Sequence, residues 1–171
     1  MLRTLLKSSL STLTIGNTDK YPMNKYIFPS FFKKKRVELG EGHVNAYTIF
    51  ESKYLFSIIV YEWKTIKQDR AHSHAFASVS FLLNGGYNQL IYKNGIPVEN
   101  TVSQILMPRY LPRNFTHQIL DSKPNTWTII FTGPWIKYWY ELFPDSNKWV
   151  KYNWGRKVVD KTTEFPKELK N

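Results

Sequence analysis

From Val37 to Thr132 the chain is a succession of short runs rich in β-branched and aromatic residues, broken at close intervals by turn residues. That rhythm limits the fold more than any other feature. Candidate strands cover 44–50, 54–63, 75–83, 87–93, 101–107, 117–120 and 127–132. Asn94-Gly95 between apolar-bearing flanks is a two-residue hairpin signal, because both positions tolerate positive φ. Many short strands joined by such turns predict an all-β sandwich or small barrel rather than an α/β fold. No helix and no internal repeat stand out in this region.

The sequence has 171 residues, 42% hydrophobic and 16% aromatic, enough for one packed domain with an arm or tail. There is no cysteine, which excludes disulfides, thiolate ligands and a cysteine nucleophile. The formal charge of +11 favours acidic partners such as nucleic acid, an anionic membrane, a phosphorylated metabolite or an acidic subunit. No nucleic-acid motif accompanies the charge, so a lysine-rich surface is the plainer reading. No apolar stretch reaches the roughly 20 residues of a membrane-spanning helix, and a soluble or peripheral protein is expected.

Residues 1–36 read as an N-terminal arm. The first 13 carry Arg3 and Lys7, several hydroxyls, no acid and a stripe of leucines. This composition suits a mitochondrial targeting segment, a docked helix or a flexible arm. Phe31-Phe32-Lys33-Lys34-Lys35-Arg36 is either a phosphate-binding patch or, more simply, a solvated segment. Residues 37–158 form the expected domain. Its end is an aromatic-rich hairpin turning at Pro144-Asp145-Ser146-Asn147, and 159–171 read as a charged, fraying tail.

Chemistry concentrates at 69–87. His72 and His74 are one residue apart before an apolar, β-prone run closed by Gly85-Gly86. Side chains two apart in an extended chain share a face, so the two imidazoles make half of a metal site. Of the two remaining histidines, His117 opens a candidate strand, while His43, between Gly40 and Gly42, reads as a loop residue. Three neutral imidazoles converging inside a barrel would bind Fe, Ni, Cu, Zn or Mn. Arg70, Arg109 and Arg113 lie close in sequence to these histidines and could hold a substrate carboxylate or phosphate. Tyr87 and Tyr92 could line the interior.

His72-Ser73-His74, then a glycine turn, then Pro112-Arg113-Asn114-Phe115-Thr116-His117 resembles the two-motif signature of cupins, which are small antiparallel jelly-roll barrels. Asn114 stands where the family has glycine, a tolerable change because Asn also visits the left-handed region. Asp69-Arg70-Ala71-His72-Ser73-His74, Gly85-Gly86-Tyr87, His117 and Trp127-Thr128-Ile129-Ile130-Phe131-Thr132-Gly133-Pro134 resemble, in the same order, a group of small single-domain cupins of bacteria and tailed phages. The resemblance spans about residues 37–158. It implies a jelly roll, a divalent metal held by His72, His74 and His117, and a cytoplasmic protein; a targeting segment would instead imply the mitochondrial matrix.

Two departures bear on function. Many cupins carry a glutamate four or five residues after the second histidine, where this chain has Ser78 and Val79. Ser73 stands where the closer group has aspartate, which removes a carboxylate beside the metal. A three-histidine site resembles that of thiol dioxygenases, so the leading expectation is an Fe-dependent dioxygenase or other oxidoreductase acting on a small anion. A sugar-phosphate isomerase or epimerase would need a general base, which the motif does not supply. A non-catalytic cupin, serving as a dimer or as a subunit of a larger assembly, is the third expectation.

Overall fold

The computed structural model describes residues 29–136, 138–153 and 157–170. Twelve strands account for nearly all regular structure, and the described residues contain no α-helix. They are β1 (Ser30–Leu39), β2 (Gly42–Glu51), β3 (Ser57–Lys64), β4 (Ser78–Asn84), β5 (Tyr87–Lys93), β6 (Ile96–Val102), β7 (Arg109–Leu111), β8 (His117–Ser122), β9 (Thr126–Thr132), β10 (Tyr138–Phe143), β11 (Lys148–Asn153) and β12 (Val158–Thr162).

A six-stranded sheet runs in the order β1-β2-β3-β9-β4-β7, and a three-stranded sheet in the order β6-β5-β8. Each strand pair is antiparallel, and β9 returns from late in the chain to lie between β3 and β4. These crossing connections are those of a jelly roll. Alternation sets the inner face: in β4 and β9 every second residue is buried. Val44 and Leu82 from the large sheet meet Tyr87, Val102 and Ile119 from the small one, with Ile66 between them.

Turn chemistry fixes the registers. Asn94 and Gly95 have φ of 51° and 88°, as the hairpin joining β5 to β6 requires. Gly85, at φ +80°, leaves no room for a side chain, since a Cβ would lie 2.7 Å from the Thr126 Cα. The Thr126 hydroxyl accepts from the Gly86 N–H at 3.0 Å, tying the β4–β5 turn to β9.

Several expectations change here. The basic run at 33–36 is solvated, as the simpler reading has it, and it is also regular structure. It lies in β1, paired along its length with β2, while its side chains stay exposed. β1 therefore crosses the expected boundary at residue 37. His43 sits in β2 between Glu38 and Lys64 rather than in a loop. The hairpin of β10 and β11 forms as expected, turning through a 3-10 helix at Pro144–Ser146. A third strand, β12, adds to it, and Leu169 from the expected tail is buried against Ala71, Tyr140 and Trp149. Residues 1–28, and with them the targeting reading, lie outside the described residues. No helix of the described residues is long and apolar enough to cross a membrane.

Candidate metal centre

His72 and His74 lie in the extended segment leading into β4 rather than within a strand. The segment is held on both sides. His72 exchanges both backbone hydrogen bonds with His117, at 2.8 and 3.0 Å. Ser73 donates its N–H to the Tyr140 carbonyl, and its hydroxyl accepts from the Tyr140 N–H, both at 2.9 Å. Clamped to β10 through Ser73, the segment turns the two imidazoles toward His117 at the start of β8. The ring centroids of the three histidines are 4.8, 5.0 and 5.1 Å apart.

One nitrogen from each ring lies within 4.8 Å of the others, and the Nε2 atoms of His74 and His117 are 3.1 Å apart. Two nitrogens each about 2.1 Å from one ion, at right angles, would be about 3.0 Å apart. The opposite ring edges are occupied. His72 Nδ1 lies 2.8 Å from the Arg70 carbonyl, and His117 Nδ1 lies 2.8 Å from Gln89 Oε1. Nδ1 donating to an oxygen leaves Nε2 with its lone pair, the form a metal takes.

Electrostatics agree. Burial pushes His74 down to about 3, with His72 adding to the shift. His117 is held well below its ordinary value by burial first, then by the neighbouring histidines and Arg109. Both are neutral at physiological pH. Asp69 sits behind His72, its Oδ2 3.4 Å from Nδ1 and without a hydrogen-bond partner among the described residues. Burial raises its pKa against the opposing pull of His72. Three imidazoles, two of them oriented from behind, fit a divalent transition metal.

His117 lies buried behind His72 and His74, which line a cleft of about 660 Å³ whose wall includes Phe76, Trp135 and Trp139. Its charged residues come from several elements: Lys35, Glu38, Glu51, Lys53, Asp69, Arg70 and Glu141. Of the three arginines expected near the site, only Arg70 lines this cleft, exposed and with its guanidinium 4.4 Å from the Phe143 ring centre. Arg109, on β7, bonds to the Tyr87 hydroxyl, and Arg113 is exposed in the turn before β8. Tyr87 is core, stacked on Trp63, and Tyr92 bonds to Gln118.

Sequence reasoning missed the cleft's carboxylates. Ser78 and Val79 indeed supply none, yet Glu51 on β2 and Glu141 on β10 reach the same cleft. Glu141 stands directly across from His72, which itself stands across from His117. Opposed residues of antiparallel neighbours share a face. No local motif encodes that row, because its members are 24 to 69 positions apart in the chain. Gln89 was missed too, and only its place among the apolar residues of 87–93 could have marked it.

No protein-family model matches the sequence, and no curated protein matches it. Solved structures similar in fold include oxalate decarboxylase from Bacillus subtilis, at 14% identity and TM-score 0.47, covering 62% of this chain and 28% of that one. KdgF from a Halomonas species has 12% identity and TM-score 0.46, over 61% of this chain and 94% of that one. An RmlC-like cupin from Shewanella frigidimarina has 13% identity and TM-score 0.41, over 60% and 85%. With its large and small antiparallel sheets, the crossing strand β9 and the C-terminal sheet of β10, β11 and β12, the chain has the architecture of a jelly roll.

Proposed function

We propose that the chain holds one divalent transition-metal ion through His72, His74 and His117 and acts on a small anionic molecule in the adjoining cleft. The observation that carries this reading is the 3.1 Å approach of the His74 and His117 Nε2 atoms, with His72 beside them. Imidazole ligands suit Fe, Ni, Mn, Zn and Cu, and Fe with oxygen chemistry is the leading assignment. When bound, the metal would supply redox or Lewis-acid chemistry. The chain's own residues would bind and shield: Lys35, Lys53 and Arg70 offer charge to an anion, while Phe76, Trp135 and Trp139 keep water from one side. Lys53 is half-buried, and its ammonium pKa is lowered chiefly by that burial, so a bound anion there would compete less with solvent.

Metal analysis of the purified full chain after loading with Fe(II), Mn(II), Ni(II) or Zn(II) tests the proposal. About one equivalent is expected, lost in His74→Ala and His117→Ala while the β-sheet circular dichroism remains. Wild-type protein that takes up none of the four refutes it. Oxygen uptake by the Fe(II) form with a panel of thiol and carboxylate compounds then tests the redox assignment.

A second reading is favoured by Glu141, on the same face as His72 and His117. A carboxylate there could move a proton, which an isomerase or epimerase needs. Under it, Glu141→Gln would abolish turnover while leaving metal content unchanged.

A further inference from the structure

We propose that Gln89 is a positioning residue of the three-histidine centre, anchored by Asn100, and that it fixes His117 with its proton on Nδ1 and its Nε2 lone pair turned toward the other histidines. Gln89 is fully buried in β5, on the inner face of the small sheet. Its Nε2 donates to Asn100 Oδ1 at 3.0 Å, from the neighbouring strand β6. The amide is thereby oriented, and its Oε1 faces His117 Nδ1 at 2.8 Å. An amide oxygen can only accept, so the imidazole must donate from Nδ1.

The direction then propagates. His117 Nε2, carrying no proton, accepts from His74 Nε2 at 3.1 Å. Asn100, Gln89, His117 and His74 thus form one hydrogen-bonded chain from the exposed strand β6 to the cleft. A neutral amide behind His117, rather than a carboxylate, orients the ring without adding charge. Among the described residues, His72, His74 and Phe115 make ring contacts with His117, Ile91 stands opposite it on β5, and Arg109 acts on it by its charge. None of these offers its Nδ1 an oxygen, so the orientation depends on Gln89.

The metal consequence rests on the function proposed above; the tautomer does not. Nitrogen-15 NMR of histidine-labelled protein without metal should show His117 as the Nδ1–H form. Gln89→Met, which keeps shape and removes the acceptor, should shift it toward Nε2–H. Asn100→Ala, on an exposed strand, should shift it in the same direction and guards against misfolding of the buried variant. A wild-type Nε2–H form, or an unchanged tautomer in both variants, overturns the proposal.

Zinc titration supplies the second arm. Gln89→Met should bind about 10- to 100-fold more weakly, and Gln89→Glu, which restores an acceptor, should recover wild-type affinity or better. Equal affinity in Gln89→Met overturns the positioning role. If the wild-type chain takes up none of Fe(II), Mn(II), Ni(II) or Zn(II), the metal reading fails by itself, and the NMR arm still decides Gln89.

Discussion

Glu62 shows how a single side chain here depends on its neighbours. It accepts from Asn45 Nδ2 at 2.8 Å and the Tyr47 hydroxyl at 3.1 Å, and pairs with Lys64. The Lys64 contact first, then the Asn45 bond, pulls its carboxyl down to about 2. A carboxylate whose pKa falls on folding stabilises the fold above its unfolded value, and that stabilisation is lost as pH drops through the folded value. The loss is therefore expected between about pH 4.5 and about 2. Glu62→Gln should flatten the melting temperature across this window, at a cost near neutrality of about 1 kcal/mol, because solvent at the exposed Lys64 screens the pair. Thermal melts of both proteins from pH 7 to pH 2 check it; parallel curves would contradict it.

Ser57, Thr132 and Ser78 pose the opposite case. They stand side by side across β3, β9 and β4, all buried, and none of their hydroxyls finds a partner among the described residues. A buried hydroxyl left unpaired costs about 1–3 kcal/mol. Thr132→Val and Ser78→Ala should each stabilise the protein or leave it unchanged, as read by urea denaturation. A loss above about 1 kcal/mol would mean the hydroxyl has an acceptor.

At the scale of elements, β1 and the C-terminal sheet carry the lessons. β1 is the outer strand of the large sheet, and Lys33, Lys34, Lys35 and Arg36 project from it. Charged side chains on an edge discourage pairing with a second chain, so this run has a structural use without any nucleic acid. The C-terminal sheet in turn supports the metal-site segment. Leu169, 4% exposed, packs with Ala71, Tyr140 and Trp149, and Tyr140 holds Ser73 between the two histidines. Leu169→Ala should cost about 2–5 kcal/mol by leaving a cavity. It should also weaken metal binding, although Leu169 touches no histidine. Denaturation and zinc titration on the same samples check both effects; loss of stability with unchanged affinity would separate the sheet from the centre.

For the whole molecule, the centre joins parts that no single element contains. His117 comes from the small sheet, His72 and His74 from the segment entering the large one, and β10 braces that segment. An ion bound to all three would tie these parts together and favour the folded state. At 100 times its dissociation constant, the metal should add about 2.7 kcal/mol of stability. Thermal denaturation with and without zinc should show a concentration-dependent rise in melting temperature, absent from His117→Ala.

Most strands were legible because period-two alternation and turn residues are local: 87–93 matches β5, and Asn94-Gly95 makes its turn, whereas the strand expected at 101–107 meets β6 only at Thr101 and Val102. β1 was not, because an exposed edge strand has no apolar face to alternate, and the three residues of β7 are too few to show a period. The histidines were legible as motif residues, and their separation in sequence gave no distance. Glu141, Glu51 and Gln89 join them only through strand pairing, which brings together residues that no local pattern relates. The sequence by itself determined an all-β domain and named three imidazoles, because alternation and motif are written in neighbouring residues. Tertiary structure alone decided which carboxylates, cations and amides surround them, because strand order and register set those contacts and depend on the whole chain at once.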